Sequence, residues 1–175
     1  MPDRVLYLIG SAAPPVRDLG TLIELLQAQG WQVCVIVTPT AAAWIGADGL
    51  TGQVGYPVRS SFRHPDDAGG MPNADAVLAC PMTFNTINKW AAGVSDNFAL
   101  GVLNEAVGLR LPTFVVPYAK DALAVHPAFG DSLVKLERWG ITVLPNELIR
   151  PPAKGESFLW ERLVDSLSMP RSHEA

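Results

Sequence analysis

The chain has 175 residues, of which 49% are hydrophobic and 17% charged, with a net charge of −4. Its length suits one domain, its apolar content excludes a disordered chain, and no run reaches the ~18 apolar residues of a membrane span. The acidic balance excludes a general basic surface for nucleic acid.

Val5–Ile9 reads as a first strand rather than the apolar part of a signal peptide. Val16, Leu19, Leu22, Ile23 and Leu26 then share one helical face, entered at Pro14–Pro15 and left at Gly30. Val33–Val37 is the second strand. Residues 46–75 break the rhythm, with many Gly, Pro, Ser and Asp residues around a short strand at Val54–Val58. Ala76–Cys80 is the next strand, followed by a helical face of Phe84, Ile87, Ala91 and Val94 and a further apolar pattern through Phe98–Val107. Thr113–Val116 precedes a helix bearing Phe129, Leu133 and Leu136 that ends at Gly140, and Ile141–Leu144 closes the strand series. Beyond the linker Pro151–Ser157, Trp160, Leu163, Val164 and Leu167 mark a last helix, and the tail 169–175 is expected to fray.

Most of these strands are continuously apolar, as in sheets covered on both faces. The alternation predicts an α/β, Rossmann-like (flavodoxin-like) three-layer fold with a mostly parallel sheet. One domain is expected over 1–150, with 151–175 as a linker and C-terminal helix packed on it. Cys34 and Cys80 lie inside apolar runs and read as buried reduced thiols, which points to a cytoplasmic protein without a metal site. Five tryptophans with so little charge suggest apolar surface that an oligomer covers.

In open parallel sheets ligands bind beyond the carboxyl ends of the strands. The turns there read Gly10-Ser11-Ala12-Ala13, Thr38-Pro39-Thr40, Pro81-Met82-Thr83-Phe84-Asn85-Thr86 and Pro117-Tyr118-Ala119-Lys120. Small residues and hydroxyls dominate three of the four. Such turns either cap helices or let amides and hydroxyls hold an anion such as phosphate. Four of them on one sheet edge favour a site. GxGxxG and GxxxxGK[ST] are both missing, which disfavours a standard dinucleotide site and a P-loop. A mononucleotide remains open.

The segment from Pro81 to Asn97, PMTFNTINKWAAGVSDN, resembles the PASANT motif and following helix of the homo-oligomeric flavin-containing cysteine decarboxylases. Pro81, Asn85 and Thr86 match the motif, while Met82, Thr83 and Phe84 replace Ala-Ser-Ala. The resemblance implies FMN at a subunit interface of a homotrimer or a dodecamer of trimers, and it makes residues 1–150 a flavoprotein domain. Carried over by position, Gly10, Ser11, Thr38, Trp44, Pro81, Thr83, Asn85, Thr86 and Asp96 contact the cofactor, with Asp96 at the subunit boundary. His64 stands for the family's histidine in the loop before the motif, with a slightly longer spacing that Asp67–Met71 can hold. It and Asn85 are the expected catalytic residues. Tyr118 and Lys120 occupy the family's PAMN substrate clamp, with Lys120 in place of the asparagine that holds the substrate carboxylate. His126 reads as a helix cap. No cysteine follows Cys80, which argues against phosphopantothenoylcysteine as substrate.

The resulting expectation is oxidative decarboxylation of a cysteine-like carboxylate, in a small molecule or at a peptide C-terminus. The alternative is an FMN-binding flavoprotein with another redox or carrier role, favoured by Lys120. A third reading, a module that has lost its flavin, rests on the bulk of Met82 and Phe84.

Overall fold

The computed structural model describes residues 4–67 and 69–167; the expected frayed tail, 169–175, lies outside the described residues. Strand β1 (Arg4–Gly10) leads through a 3-10 turn at Pro14–Asp18 into α1 (Leu19–Ala28) and β2 (Trp31–Val37). The short helices α2 (Pro39–Ala42) and α3 (Ala47–Val54) follow. Next come β3 (Ala76–Met82), α4 (Phe84–Ala91), α5 (Phe98–Gly108) and β4 (Thr113–Pro117). After α6 (Asp121–Ala124) and α7 (Pro127–Arg138), β5 (Thr142–Val143) closes the sheet, and a 3-10 turn at Asn146–Leu148 leads to α8 (Trp160–Ser166).

The strands form one parallel sheet in the order β2-β1-β3-β4-β5. Leu6 sits beside Val33 on one side and Ala76 on the other. Residues of opposite pleat feed two cores. Leu6, Leu8, Val33, Val35, Leu78 and Val116 pack under α1 and α8, with Trp160 buried among them. Ile9, Ile36, Val77, Ala79 and Val115 pack under α4, α5 and α7, around Trp90. The architecture is therefore the flavodoxin-like three-layer sandwich that the alternation predicts. Among the described residues no helix is long and apolar enough to cross a membrane.

Three local readings need correction. The short strand at Val54–Val58 is absent. Ala47, Leu50 and Val54 instead line one side of α3, which ends at Gly55 in the left-handed region, φ 77°. Arg59 forms a single backbone bridge to the sheet, its N–H donating to the Val35 carbonyl at 3.0 Å and its carbonyl accepting the Val37 N–H at 2.8 Å. Pro57 has no N–H to extend that pairing. The first helical stretch opens as a 3-10 turn because Pro14 and Pro15 lack donors. Val94 lies beyond α4, which the chain leaves through Gly93 at φ 72°.

The C-terminal segment is tied back onto α1. Trp160 Nε1 donates to Asp18 Oδ2 at 2.7 Å across 142 positions of sequence. The strand order places the switch point between β1 and β3, where connections leave in opposite directions and a crevice opens at the carboxyl ends.

Candidate functional site

The turn after β1 is fixed by Ser11. Its N–H and its hydroxyl both donate to the Pro81 carbonyl, at 2.9 and 2.8 Å, and its Oγ accepts the Thr83 N–H at 2.8 Å. Gly10 is needed for packing: a Cβ there would meet Val16 Cγ2 at 3.0 Å. After β2, Thr38 caps α2 by accepting the Ala41 N–H. After β3, Thr83 caps α4 by accepting the Thr86 N–H. Both threonines thus do the work of helix caps. The first amides of α4, those of Phe84 and Asn85, have no intrahelical acceptor and open toward the crevice.

These turns line a cleft of about 1040 Å³. Its walls come from Ser11–Pro14, Thr38–Thr40 and Trp44, from Thr83–Thr86, from Lys89, Asp96 and Asn97, and from Tyr118–Asp121, Leu123 and Arg150. Trp44 is 45% exposed and offers a flat apolar surface at the β2 end. Lys89 and Asp96 form an ion pair across the wall. At the other end the Arg150 guanidinium lies over the Tyr118 ring, 5.2 Å from its centroid, with the Asp121 carboxylate 4.0 Å away.

Nine residues singled out in the sequence meet in this cleft: Ser11, Thr38, Trp44, Thr83, Asn85, Thr86, Asp96, Tyr118 and Lys120. Gly10 and Pro81 stand behind its wall rather than on it. His64 lies outside the cleft. It is on an exposed stretch where its Nδ1 accepts the Asp66 N–H at 3.3 Å. His126 caps α7, accepting the Ala128 N–H at Nδ1, and lies edge-on to Phe84. Met82 points into the core and is fully buried. Phe84 stacks on Phe129. Arg150 was not anticipated. The rule that found the other turns applies equally to the turn after β5, which ends at Arg150.

Both cysteines are buried and free. Burial pushes the Cys34 thiol up to about 11 and the Cys80 thiol higher still, so neither serves as a nucleophile. Among the described residues no cluster of His, Cys, Asp and Glu could hold a metal ion.

Known proteins of similar sequence and structure supply the context. The chain is 29% identical over 159 residues to the coenzyme A biosynthesis bifunctional protein CoaBC of Thermococcus kodakarensis, covering 88% of this chain and 39% of that protein. A second CoaBC, from Mycolicibacterium smegmatis, is matched over 30% of its length, so the chain spans well under half of these relatives. MrsD from Bacillus sp. HIL-Y85/54728 superposes with a TM-score of 0.72 at 18% identity, covering 93% of this chain and 94% of that chain; it speaks for the fold. The FMN-dependent cysteine decarboxylase TvaF from thioviridamide biosynthesis superposes with a TM-score of 0.67 at 25% identity, over 81% of this chain and 89% of that chain. The Flavoprotein family model matches residues 3–171, nearly the whole sequence, and the chain belongs to the flavoprotein family.

Proposed function

We propose that the cleft holds FMN and that the protein catalyses oxidative decarboxylation of a cysteine-like acid, either a small molecule or the C-terminal cysteine of a peptide. The observation that carries this reading is the convergence of four strand-end turns, those after β1, β2, β3 and β4, in one cleft beside the β1/β3 switch point of a flavoprotein-family chain. Ligands of doubly wound sheets bind at such a point.

The residues present fit a flavin mononucleotide. The Phe84 and Asn85 amides at the positive end of α4 suit a phosphate. Trp44 suits a planar ring. About 1040 Å³ leaves room for a second molecule. Met82 does not crowd the cleft, because its side chain is in the core, and Phe84 is drawn onto Phe129. The bulk of Met82 therefore no longer favours a flavin-free module, while Phe84 stays on the cleft wall.

Bound FMN would supply a two-electron acceptor for oxidation of the substrate thiol. Loss of carbon dioxide from the resulting thioaldehyde is easy, since the electron pair left on carbon delocalises into the carbon–sulfur bond and yields an enethiol. Asn85 orients the substrate at the mouth of α4, and Tyr118 and Lys120 face its carboxylate. His64 would move the proton, reaching the cleft of a neighbouring subunit.

A homotrimer, alone or in a dodecamer of trimers, supports that last role. Phe62 is 61% exposed, edge-on to Phe98 at 5.9 Å, with Arg59 also over the Phe98 ring. This aromatic patch on the His64 side suits burial by another copy. We place the protein in the cytoplasm, where buried thiols stay reduced, and take residues 1–150 as the flavoprotein domain on which 151–167 folds back.

The test is a visible spectrum of the purified protein with the released chromophore identified by chromatography, followed by carbon dioxide release from a cysteine-terminated peptide. FMN with carbon dioxide release supports the reading. A colourless protein that takes up no added FMN overturns it. FMN without carbon dioxide release selects the second reading, another redox or carrier role. One observation favours that alternative: among the described residues no histidine lines the cleft.

A further inference from the structure

We infer that Arg150 is the residue that orients the substrate carboxylate and sets the cleft's preference for acids. The inference rests on the carboxylate-substrate reading above and assigns a role to a residue outside the motif segment.

Lys120 is a poor replacement for an orienting amide. An ammonium is a point charge on a flexible stem, whereas a guanidinium presents a planar fork of donors that matches a carboxylate. Arg150 brings that fork to the same end of the cleft. Its guanidinium carbon lies over the ring of Tyr118, two residues before Lys120, 5.2 Å from the centroid. A stacked guanidinium keeps its N–H groups at the edge, available to an acceptor. Among the described residues they make no hydrogen bond: the nearest carboxylate oxygen, Asp121 Oδ1, is 4.0 Å from Nη1, beyond hydrogen-bond range. The Asp121 side chain is 99% exposed, so this contact is the weak, screened kind that an entering carboxylate displaces.

The charge balance agrees. Lys89 and Asp96 neutralise one another. Of the charged residues lining the β4–β5 end, Lys120 and Arg150 are cations and Asp121 is the anion, which leaves one positive charge for a single carboxylate. The backbone beneath Arg150 is fixed. Its N–H donates to the Asn146 carbonyl at 3.0 Å, and the carbonyl of fully buried Ile149 accepts the Leu159 N–H at 2.9 Å. A fixed backbone and a guanidinium seated against an aromatic ring favour a preorganised carboxylate site.

The probe is an N-acetylated tripeptide ending in serine, as free acid and as C-terminal amide. It lacks the thiol and cannot turn over. Calorimetric titration onto the flavin-loaded protein should show the acid bound about tenfold or more tighter than the amide. Arg150→Gln should bring that ratio close to one, with flavin content and Tm unchanged. Arg150→Lys should keep part of the acid's affinity but lose most of the discrimination. An unchanged acid-to-amide ratio in Arg150→Gln overturns the inference, as does a wild-type protein that does not distinguish acid from amide. Carbon dioxide release from the matching cysteine peptide separates the two levels. Wild-type acid preference lost in Arg150→Gln, without carbon dioxide release, sinks the decarboxylase reading but keeps the role of Arg150. Equal turnover by wild type and Arg150→Gln does the reverse.

Discussion

Ser11 and Pro81 lie 70 residues apart and are joined twice, the serine N–H and hydroxyl both donating to the proline carbonyl. The same Oγ accepts the Thr83 N–H. Its only proton is therefore committed within the protein, and Ser11 rivets the β1 turn to the mouth of α4. Ser11→Ala leaves the part-buried Thr83 N–H without its acceptor and removes one of the two bonds to the Pro81 carbonyl from a site that is itself 1% exposed. The expected loss is about 1–3 kcal/mol of stability, read by chemical denaturation, together with weaker FMN binding as the two turns part. A loss no larger than that of an ordinary surface change, within about 0.5 kcal/mol, would show that the rivet does not matter.

Asn85 offers a test in which stability and binding move in opposite directions. It is the second residue of α4 and is exposed in the cleft. Asn85→Asp puts a negative charge at a helix N-terminus and should stabilise the fold by about 0.3–1 kcal/mol. The same charge repels a phosphate, so FMN affinity should fall by about tenfold or more. Tm and flavin titration on one sample check both signs. Affinity that is unchanged or tighter places the anion elsewhere.

His64 should be needed for turnover but not for flavin. In a single protomer its side chain is 69% exposed and its partners are in its own loop. His64→Asn should retain the chromophore and release no carbon dioxide. If the histidine serves a neighbouring cleft, co-expressing His64→Asn with Asn85→Ala should recover measurable turnover in mixed oligomers. Recovery absent from mixed oligomers that still bind FMN would confine His64 to its own subunit.

The thiols predict a pH effect with a defined sign. Burial raises Cys34 from its usual 9.0 to about 11. The folded state then holds a proton that the unfolded chain gives up, so this contribution is complete below pH 9 and is lost as pH rises through 11. Between those values the stability should fall by about 1.4 kcal/mol per pH unit for this one group. Cys34→Ala, compared at pH 8 and pH 10, should show a shallower decline. Equal slopes would rule out the thiol as the source.

Much of this was legible because the strands are continuously apolar and the strand-end turns carry small residues and hydroxyls. Those two patterns were enough to place Ser11, Thr38, Thr83 and Lys120 on one edge. Val54–Val58 misled because a short apolar stretch does not declare its period; Gly55 and Pro57 ended a helix rather than flanking a strand. Arg150 was hidden by its strand. β5 is a two-residue edge element, too short to mark its own end, and the residue sits where the linker seemed to begin. Met82 could not be read from composition at all, because its direction depends on the pleat of β3.

The bond between Trp160 and Asp18 gives the last helix a reach beyond its length. Through Leu159 and Ile149 it is continuous with the base of Arg150. The segment after residue 150 is thus a tuning handle. Drift or engineering in α8 can reach the β4–β5 end of the cleft along that chain of bonds, so a change remote from every strand-end turn can alter which acids enter.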